Sequence, residues 1–354
     1  MSYGGQVRCR NILGGGMLYG SQRPDMPIIW IGFAVFVALL LFIDLFVLNA
    51  KDHVPRTREA LGQTALWMTI GVGFSGFIYL AYNNGWVDSE LPAHKAMINY
   101  LTGYLVELSL SMDNVFVIAV IFGYFQVPGK YQHRVLFWGI IGAVFFRLAM
   151  ILAGVYLLDQ FDWMFYVFGV LLLFSAYKMV GKGEEVHPSE NPVIQIVKRV
   201  VPVTHDYHGH DFWLRQNGKL YATPLFVALV MVETTDVIFA IDSIPAILGI
   251  TTDSFLVFSS NILAVLGLRA LYFVLSSMID KFGLLKYSLA LILTFVGVKL
   301  LLHEVWHPEE WISLVVIFVT LAGGVVFSLM QKTPAEPHPH DPTKITEPTE
   351  VPDI

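Results

Sequence analysis

Residues 232–246 read VETTDVIFAIDSIPA. The stretch is apolar enough to cross a bilayer, yet it carries Glu233, Asp236 and Asp242. It also carries Pro245, which lacks the N–H that an uninterrupted helix uses and predicts a break near residues 241–245. An earlier stretch, residues 107–117 (ELSLSMDNVFV), matches it with Glu107, Asp113 and Asn114. A charged side chain at the centre of a membrane helix costs about 2.5–3.5 kcal/mol on insertion scales. Acids at this depth therefore call for a partner, an ion or a proton.

The surrounding chain supplies the membrane. Of 354 residues 55% are hydrophobic and 14% charged, where a soluble domain carries about a quarter charged; mean hydropathy is +0.62. Apolar blocks fall at 27–48, 64–83, 97–125, 135–158, 163–180, 221–248, 254–279, 285–302 and 310–330. Such blocks suit a hydrocarbon core about 30 Å thick. They predict an all-α, polytopic bundle of nine transmembrane helices over residues 27–330. Residues 1–26, Gly-rich and without periodicity, read as a disordered extension, with Met26 an alternative start. Residues 331–354, rich in Pro, Thr and Glu, read as a disordered tail. The first apolar block is too long for the core of a cleavable signal. The single cysteine, Cys9, excludes an internal disulfide and thiol-pair redox chemistry.

Loop charge sets the orientation. Lys51, Arg56, Arg58, Lys130, Arg134, Lys182, Lys198, Arg199, Lys281, Lys286 and Lys332 fall on one side. The other has Arg8, Arg10, Arg23 and Lys95, and collects Asp88, Glu90, Asp159, Asp162, Asp253, Glu304, Glu309 and Glu310. The basic side is expected to be cytoplasmic, which puts the N-terminus outside and the C-terminus inside the cell. The long loop 181–220 is then cytoplasmic, and Asn217–Gly218 between short alternating runs predicts a β-hairpin. His205, Asp206, His208, His210 and Asp211 in this loop match no defined ligand spacing, so a solvated polar loop is favoured over a metal site.

The chain also repeats. Phe161, Tyr166 and Lys178 have the spacing of Phe282, Tyr287 and Lys299. Asp113 precedes Arg147 by 34 residues, and Asp236 precedes Arg269 by 33. Residues 97–180 and 221–302 thus read as two three-helix units. An odd number of helices inverts the second copy, the plan of many transporters, with the site between halves.

Nine ionisable groups fall within the spans: Asp44, Glu107, Asp113, Glu233, Asp236, Asp242, Arg147, Arg269 and Lys299. Glu107, Ser111 and Asn114 share a helix face, whereas Asp113 lies about 120° away. Arg147 and Arg269 are expected to pair with Asp113 and Asp236 or to balance charge. Asp44 lies near the end of the first span, and Lys299 is expected to snorkel. Glu107, Asp113, Asn114, Glu233, Asp236 and Asp242 form a candidate metal site. With the carbonyls that a break at Pro245 would free, they are hard oxygen ligands, suited to Mn²⁺, Ca²⁺ or Mg²⁺.

These stretches, with the run at 261–273 (NILAVLGLRALYF), resemble the TerC family, and its Alx-type members most. The resemblance covers about residues 27–330. It implies an inner-membrane protein of the LysE-like transporter superfamily, and the roles associated with the family are tellurium resistance, alkaline-pH response and manganese export. The family's acidic positions correspond to Glu107, Asp113, Asn114, Glu233, Asp236 and Asp242. The expectation is a non-enzymatic exporter of Mn²⁺, or else Ca²⁺, with proton coupling and no bound cofactor. Membrane lipid and a divalent ion are the expected partners, and nucleic acid is not. The rival readings are indirect tellurite protection and a membrane-bound redox modulator.

Overall fold

The computed structural model describes residues 26–44, 57–87, 89–180, 192–204, 206–207, 209–216, 218–276, 285–306 and 308–330. Of the expected disordered termini, residues 1–25 and 331–354 lie outside this range, as do His205, His208, Asn217, Phe282 and residues 181–191, whereas Met26 starts a helix. The elements in order are α1 (Met26–Ile43), α2 (Thr57–Asn83), α3 (Ala93–Tyr124), α4 (Gly129–Gln160), α5 (Met164–Val180) and α6 (Pro192–Val200). A hairpin, β1 (Trp213–Gln216) and β2 (Lys219–Ala222), leads into α7 (Pro224–Leu248). Then come α8 (Ser254–Leu266), α9 (Leu268–Ser276), α10 (Leu285–Leu301) and α11 (Glu310–Met330).

Five helices, α2, α3, α4, α7 and α11, are long and apolar enough to cross a membrane. α8 and α9, bent by 43° at Gly267, make a sixth if they form one span, and α1 and α5 are shorter apolar helices. Length and composition thus give five or six spans among the described residues, where the apolar blocks predict nine. The outer surface is apolar: Ile31, Val35, Phe145, Tyr156, Phe318 and Phe327 are all exposed. Such a surface is matched by lipid, whose tails need no polar partner.

The local signals that start these helices are physical and few. Thr223, extended, precedes Pro224 at the first turn of α7, where proline's missing N–H costs nothing. Asp253 caps α8, its Oδ1 accepting from Phe255 N at 3.0 Å and Leu256 N at 3.3 Å. Its Oδ2 accepts from the Tyr82 hydroxyl at 2.8 Å, which ties the cap to the end of α2. Gly85 (φ 69°) closes α2, with Trp86 N donating to Ala81 O and Gly85 N to Tyr82 O, a Schellman ending.

The predicted break in the Val232–Ala246 stretch does not form: α7 is continuous through Pro245. Proline removes one backbone bond, but here it stands in the last turn, three residues before the helix ends. Its neighbours Ile244, Ala246 and Ile247 are buried and hold that turn in place. Only the Ile241 carbonyl loses its donor, so the wider set of freed carbonyls anticipated beside Asp236 and Asp242 does not form. The bend falls instead at Gly267, whose backbone lies so close to Trp67 that an added Cβ would sit 3.3 Å from the indole Cβ.

The interior is organised around α3, which packs against α2, α7, α8, α9 and α11, while α4 packs on α7 and α8. α5 lies along α10. Their closest approach is Gly169 against Gly297, where a Cβ on either would meet the other's carbonyl oxygen, at 3.0 and 3.1 Å. The hairpin pairs Gln216 with Lys219 and Trp213 with Ala222, a two-residue turn at the predicted place. The loop before it docks on the α3–α4 corner, where the Tyr207 hydroxyl donates to Phe125 O at 2.6 Å. Burial pushes that phenol's pKa up, so it stays a donor.

Gly169→Val should force α5 from α10 and cost about 1–3 kcal/mol, the usual cost of overpacking. Gly73→Ala, where an added Cβ meets nothing within 4 Å, should leave the unfolding midpoint in detergent unchanged. Thermal unfolding of the two variants side by side checks this.

Candidate functional site

Four helices meet around one guanidinium. Arg147, on α4, is 1% exposed. Its Nη2 donates to Asp236 Oδ1 at 2.9 Å and its Nε to Oδ2 at 3.2 Å, a two-point contact with α7. Its Nη1 donates to the Glu107 carboxylate on α3 and to Asn261 Oδ1 on α8 at 2.8 Å. Asn261 returns a bond, Nδ2 to Glu107 Oε2 at 3.2 Å, and the Ser111 hydroxyl donates to Glu107 Oε1 at 3.2 Å. Asn114 Nδ2 lies 3.4 Å from Asp236 Oδ1. Glu107, Asn114, Asp236 and Asn261 are all buried.

The charges do not cancel. Two carboxylates face one guanidinium, so the cluster carries one formal negative charge in excess. Beside it is a small void of about 20 Å³, lined by Asn114, Thr235 and Asp236 with Gly139, Ile140 and Leu268 among its walls. A void of this size holds about one water-sized particle. Asn114 Oδ1 is buried without a hydrogen-bond partner.

Of the predicted metal ligands, Glu107, Asn114 and Asp236 come together. The other three do not join them, and helix periodicity gives the reason. With α7 unbroken, Asp242 lies nine residues from Glu233, half a turn round the helix. It accepts from the Ser175 hydroxyl of α5 at 2.6 Å. Glu233 faces α4 and fills the space over Gly142, where any Cβ would strike its carboxylate; Glu233 Oε2 is buried without a hydrogen-bond partner. Asp113 is half-buried, and the cation acting on it is Lys286. Among the described residues no group of three or more His, Cys, Asp or Glu side chains is arranged to hold a metal ion.

The arginine pairings also differ from expectation. Asp113 pairs with neither arginine; Arg147 bridges Asp236 and Glu107 instead, because Glu107, Ser111 and Asn114 occupy the inward face of α3 and Asp113 does not. Arg269, on α9, binds Asp44 through the carboxylate and, at 3.2 Å, the backbone carbonyl. Asp44 is 3% exposed, so its carboxylate is enclosed by the protein. Lys299 is half-buried in the wall of a wide cleft at the far end of the bundle from the hairpin. Asn261 was not anticipated. Its signal was a lone amide in the apolar run at 255–266, the same anomaly that marks a charged residue, in weaker form.

The arrangement defines an integral membrane protein with a polar, ion-paired centre. No solved structure matches the chain. Residues 93–336 match the family described as "Integral membrane protein TerC family". The chain is 45% identical over 306 residues to "Putative membrane-bound redox modulator Alx" of Salmonella typhi, covering 85% of this chain and 94% of that protein. It is 42% identical over 296 residues to the protein of the same name in Escherichia coli (strain K12), covering 82% and 91%. It is 41% identical over 320 residues to "Uncharacterized membrane protein STKORF319" of Myxococcus xanthus, covering 90% and 97%. The chain belongs to the TerC family.

Breaking a buried ion pair from one side typically costs about 3–5 kcal/mol, because the partner is left buried and unpaired. Arg147→Met should be destabilised by about that much. Adding Glu107→Gln and Asp236→Asn to it should recover most of the loss. Chemical unfolding in detergent of the single and triple variants measures both.

Proposed function

We propose that this chain is a secondary transporter that exports a divalent cation, Mn²⁺ in the first place and Ca²⁺ in the second, through the carboxylate cluster at Arg147. The supporting observation is the excess negative charge of Glu107 and Asp236 over Arg147, buried among four helices. Taking an unbalanced ion into a low-dielectric interior costs several kcal/mol even after relaxation. A cation or a proton removes that cost, and a transporter binds its cargo for the same reason. Carboxylate and amide oxygens form a hard ligand set. In the arrangement described, Arg147 holds both carboxylates, so cation entry requires the guanidinium to release at least one. Arginine and cargo then compete for the same oxygens, and this competition would couple binding to helix movement.

The inverted repeat of 97–180 and 221–302 belongs to this reading. Under it α5 corresponds to α10, and their mutual Gly169–Gly297 contact is the kind a local two-fold axis produces. The nine-span layout, an inner-membrane location with the N-terminus outside, proton exchange and the LysE-like affiliation are parts of the same proposal. Direct transport of an oxyanion such as tellurite is disfavoured by the geometry, since Arg147 and Arg269 are both committed to carboxylates. The redox reading comes from the relatives' name. It predicts a bound chromophore, which an absorption spectrum of the purified protein would reveal.

In manganese-stressed cells lacking their own exporters, the native chain should lower total cellular manganese several-fold against empty vector. Asp236→Asn and Glu107→Gln, present in the membrane at equal amounts, should not. Elemental analysis of washed cells reads the result, and unchanged manganese with the native chain overturns the manganese reading.

A further inference from the structure

A second polar feature lies apart from the Arg147 cluster. At the end of the bundle opposite the hairpin, the C-terminal ends of α7 and α10 and the start of α8 surround a cleft of about 650 Å³. Three carboxylates line it, Glu90, Asp253 and Glu310, against one lysine, Lys299. Lys95 at the rim bonds Glu310 at 3.2 Å, and Tyr82 and the α8 backbone hold Asp253. Leu248, Gly249 and Ile250 present the carboxyl end of α7, the negative end of its dipole.

A cluster of acids is common at a protein surface and means little alone. Asn99, on the first turns of α3, adds the independent sign. It lines the cleft, is 4% exposed, and its Oδ1 has no hydrogen-bond partner. A buried amide oxygen left unpaired costs about 1–3 kcal/mol, and a ligand that it can meet repays this. An anion would meet three carboxylates and a helix C-terminus. A cation is matched by all of them, and by the amide oxygen.

We propose that this cleft binds a hydrated divalent cation, with Asn99 Oδ1 as its deepest contact and Glu90 and Glu310 supplying charge. Liquid water takes about 30 Å³ per molecule, so the cleft has room for roughly twenty, enough for an ion that keeps its first shell. Lys299, half-buried in the wall, is a positive charge that the ion must approach. The site extends the transporter reading by giving the cation a waiting position at one mouth of the bundle. It stands on residues separate from those of that reading.

The test is Mn²⁺ binding to the full chain in phosphatidylcholine nanodiscs, followed by loss of the free-ion electron paramagnetic resonance signal. Binding at the cleft should survive in the Glu107→Gln/Asp236→Asn double variant. In that background Asn99→Leu should weaken it about ten-fold, the scale of one hydrogen bond to a charged partner. Asn99→Asp should strengthen it. Lys299→Gln should tighten it by roughly five-fold, as removal of one screened like charge implies. Because Asn99→Asp and Lys299→Gln are gains, misfolding cannot imitate them. Isotherms unmoved by all three substitutions overturn the cleft site, and the transporter reading then rests on the manganese content of cells alone. Displacement of Mn²⁺ by an equal concentration of Na⁺ overturns its divalent character. Shifted isotherms with unchanged cellular manganese keep the cleft and overturn the manganese-export reading.

Discussion

The two-point contact of Arg147 with Asp236, shared with Glu107 and Asn261, is the constraint on which the bundle depends. It joins α3, α4, α7 and α8 at one point. In lipid there is little hydrophobic drive between helices, so packing and hydrogen bonds decide which faces meet. A guanidinium offers five donors in a fixed planar fork, so its partners must arrive at set angles. That requirement fixes the rotation of four helices about their own axes. The rotation of α7 in turn sends Glu233 towards Gly142 on α4 and Asp242 towards Ser175 on α5. One interaction thus divides the three acids of a single helix between two neighbours, α4 and α5.

Small residues let this happen. Gly142 leaves room for the Glu233 carboxylate, Gly139 admits Val232 at contact distance, and Gly154 accepts Leu248 and Ile244. All three lie on α4 facing α7. The polar centre and the close helix approach are parts of one design: without the glycines α7 would stand away from α4, and Arg147 could not reach Asp236 at 2.9 Å.

Much of this was legible in residues 107–117 and 232–246. Charge inside apolar runs identified the membrane class and drew notice to Glu107, Asn114, Asp236 and Arg147, which the fold brings together. Helical periodicity correctly put Glu107, Ser111 and Asn114 on one face. What periodicity could not supply was the partner of each face. Sequence spacing matches Asp113 to Asp236, yet only Asp236 meets an arginine, because helix rotation is set by tertiary contacts rather than by local sequence. Pro245 misled for a related reason. A proline costs a helix one bond and a crowded carbonyl, and here the packing of the buried Ile244, Ala246 and Ile247 carries α7 through both. Asn261 escaped notice because an amide barely disturbs a hydropathy profile.

The two arginines carry opposite lessons about charge. Arg269 pairs with the Asp44 carboxylate and is also held by the Asp44 carbonyl. The geometry suits a tether between the end of α1 and α9. Arg147 faces two carboxylates, and its cluster is left negative. On the transporter reading proposed above, a cation would compete with the guanidinium for these carboxylates, since both supply positive charge. A membrane protein that held its helices by Arg147 alone would release them on exchange. Here α5 against α10 and Arg269 against Asp44 join helices by contacts that lie apart from the Arg147 cluster, so the frame does not rest on that cluster alone.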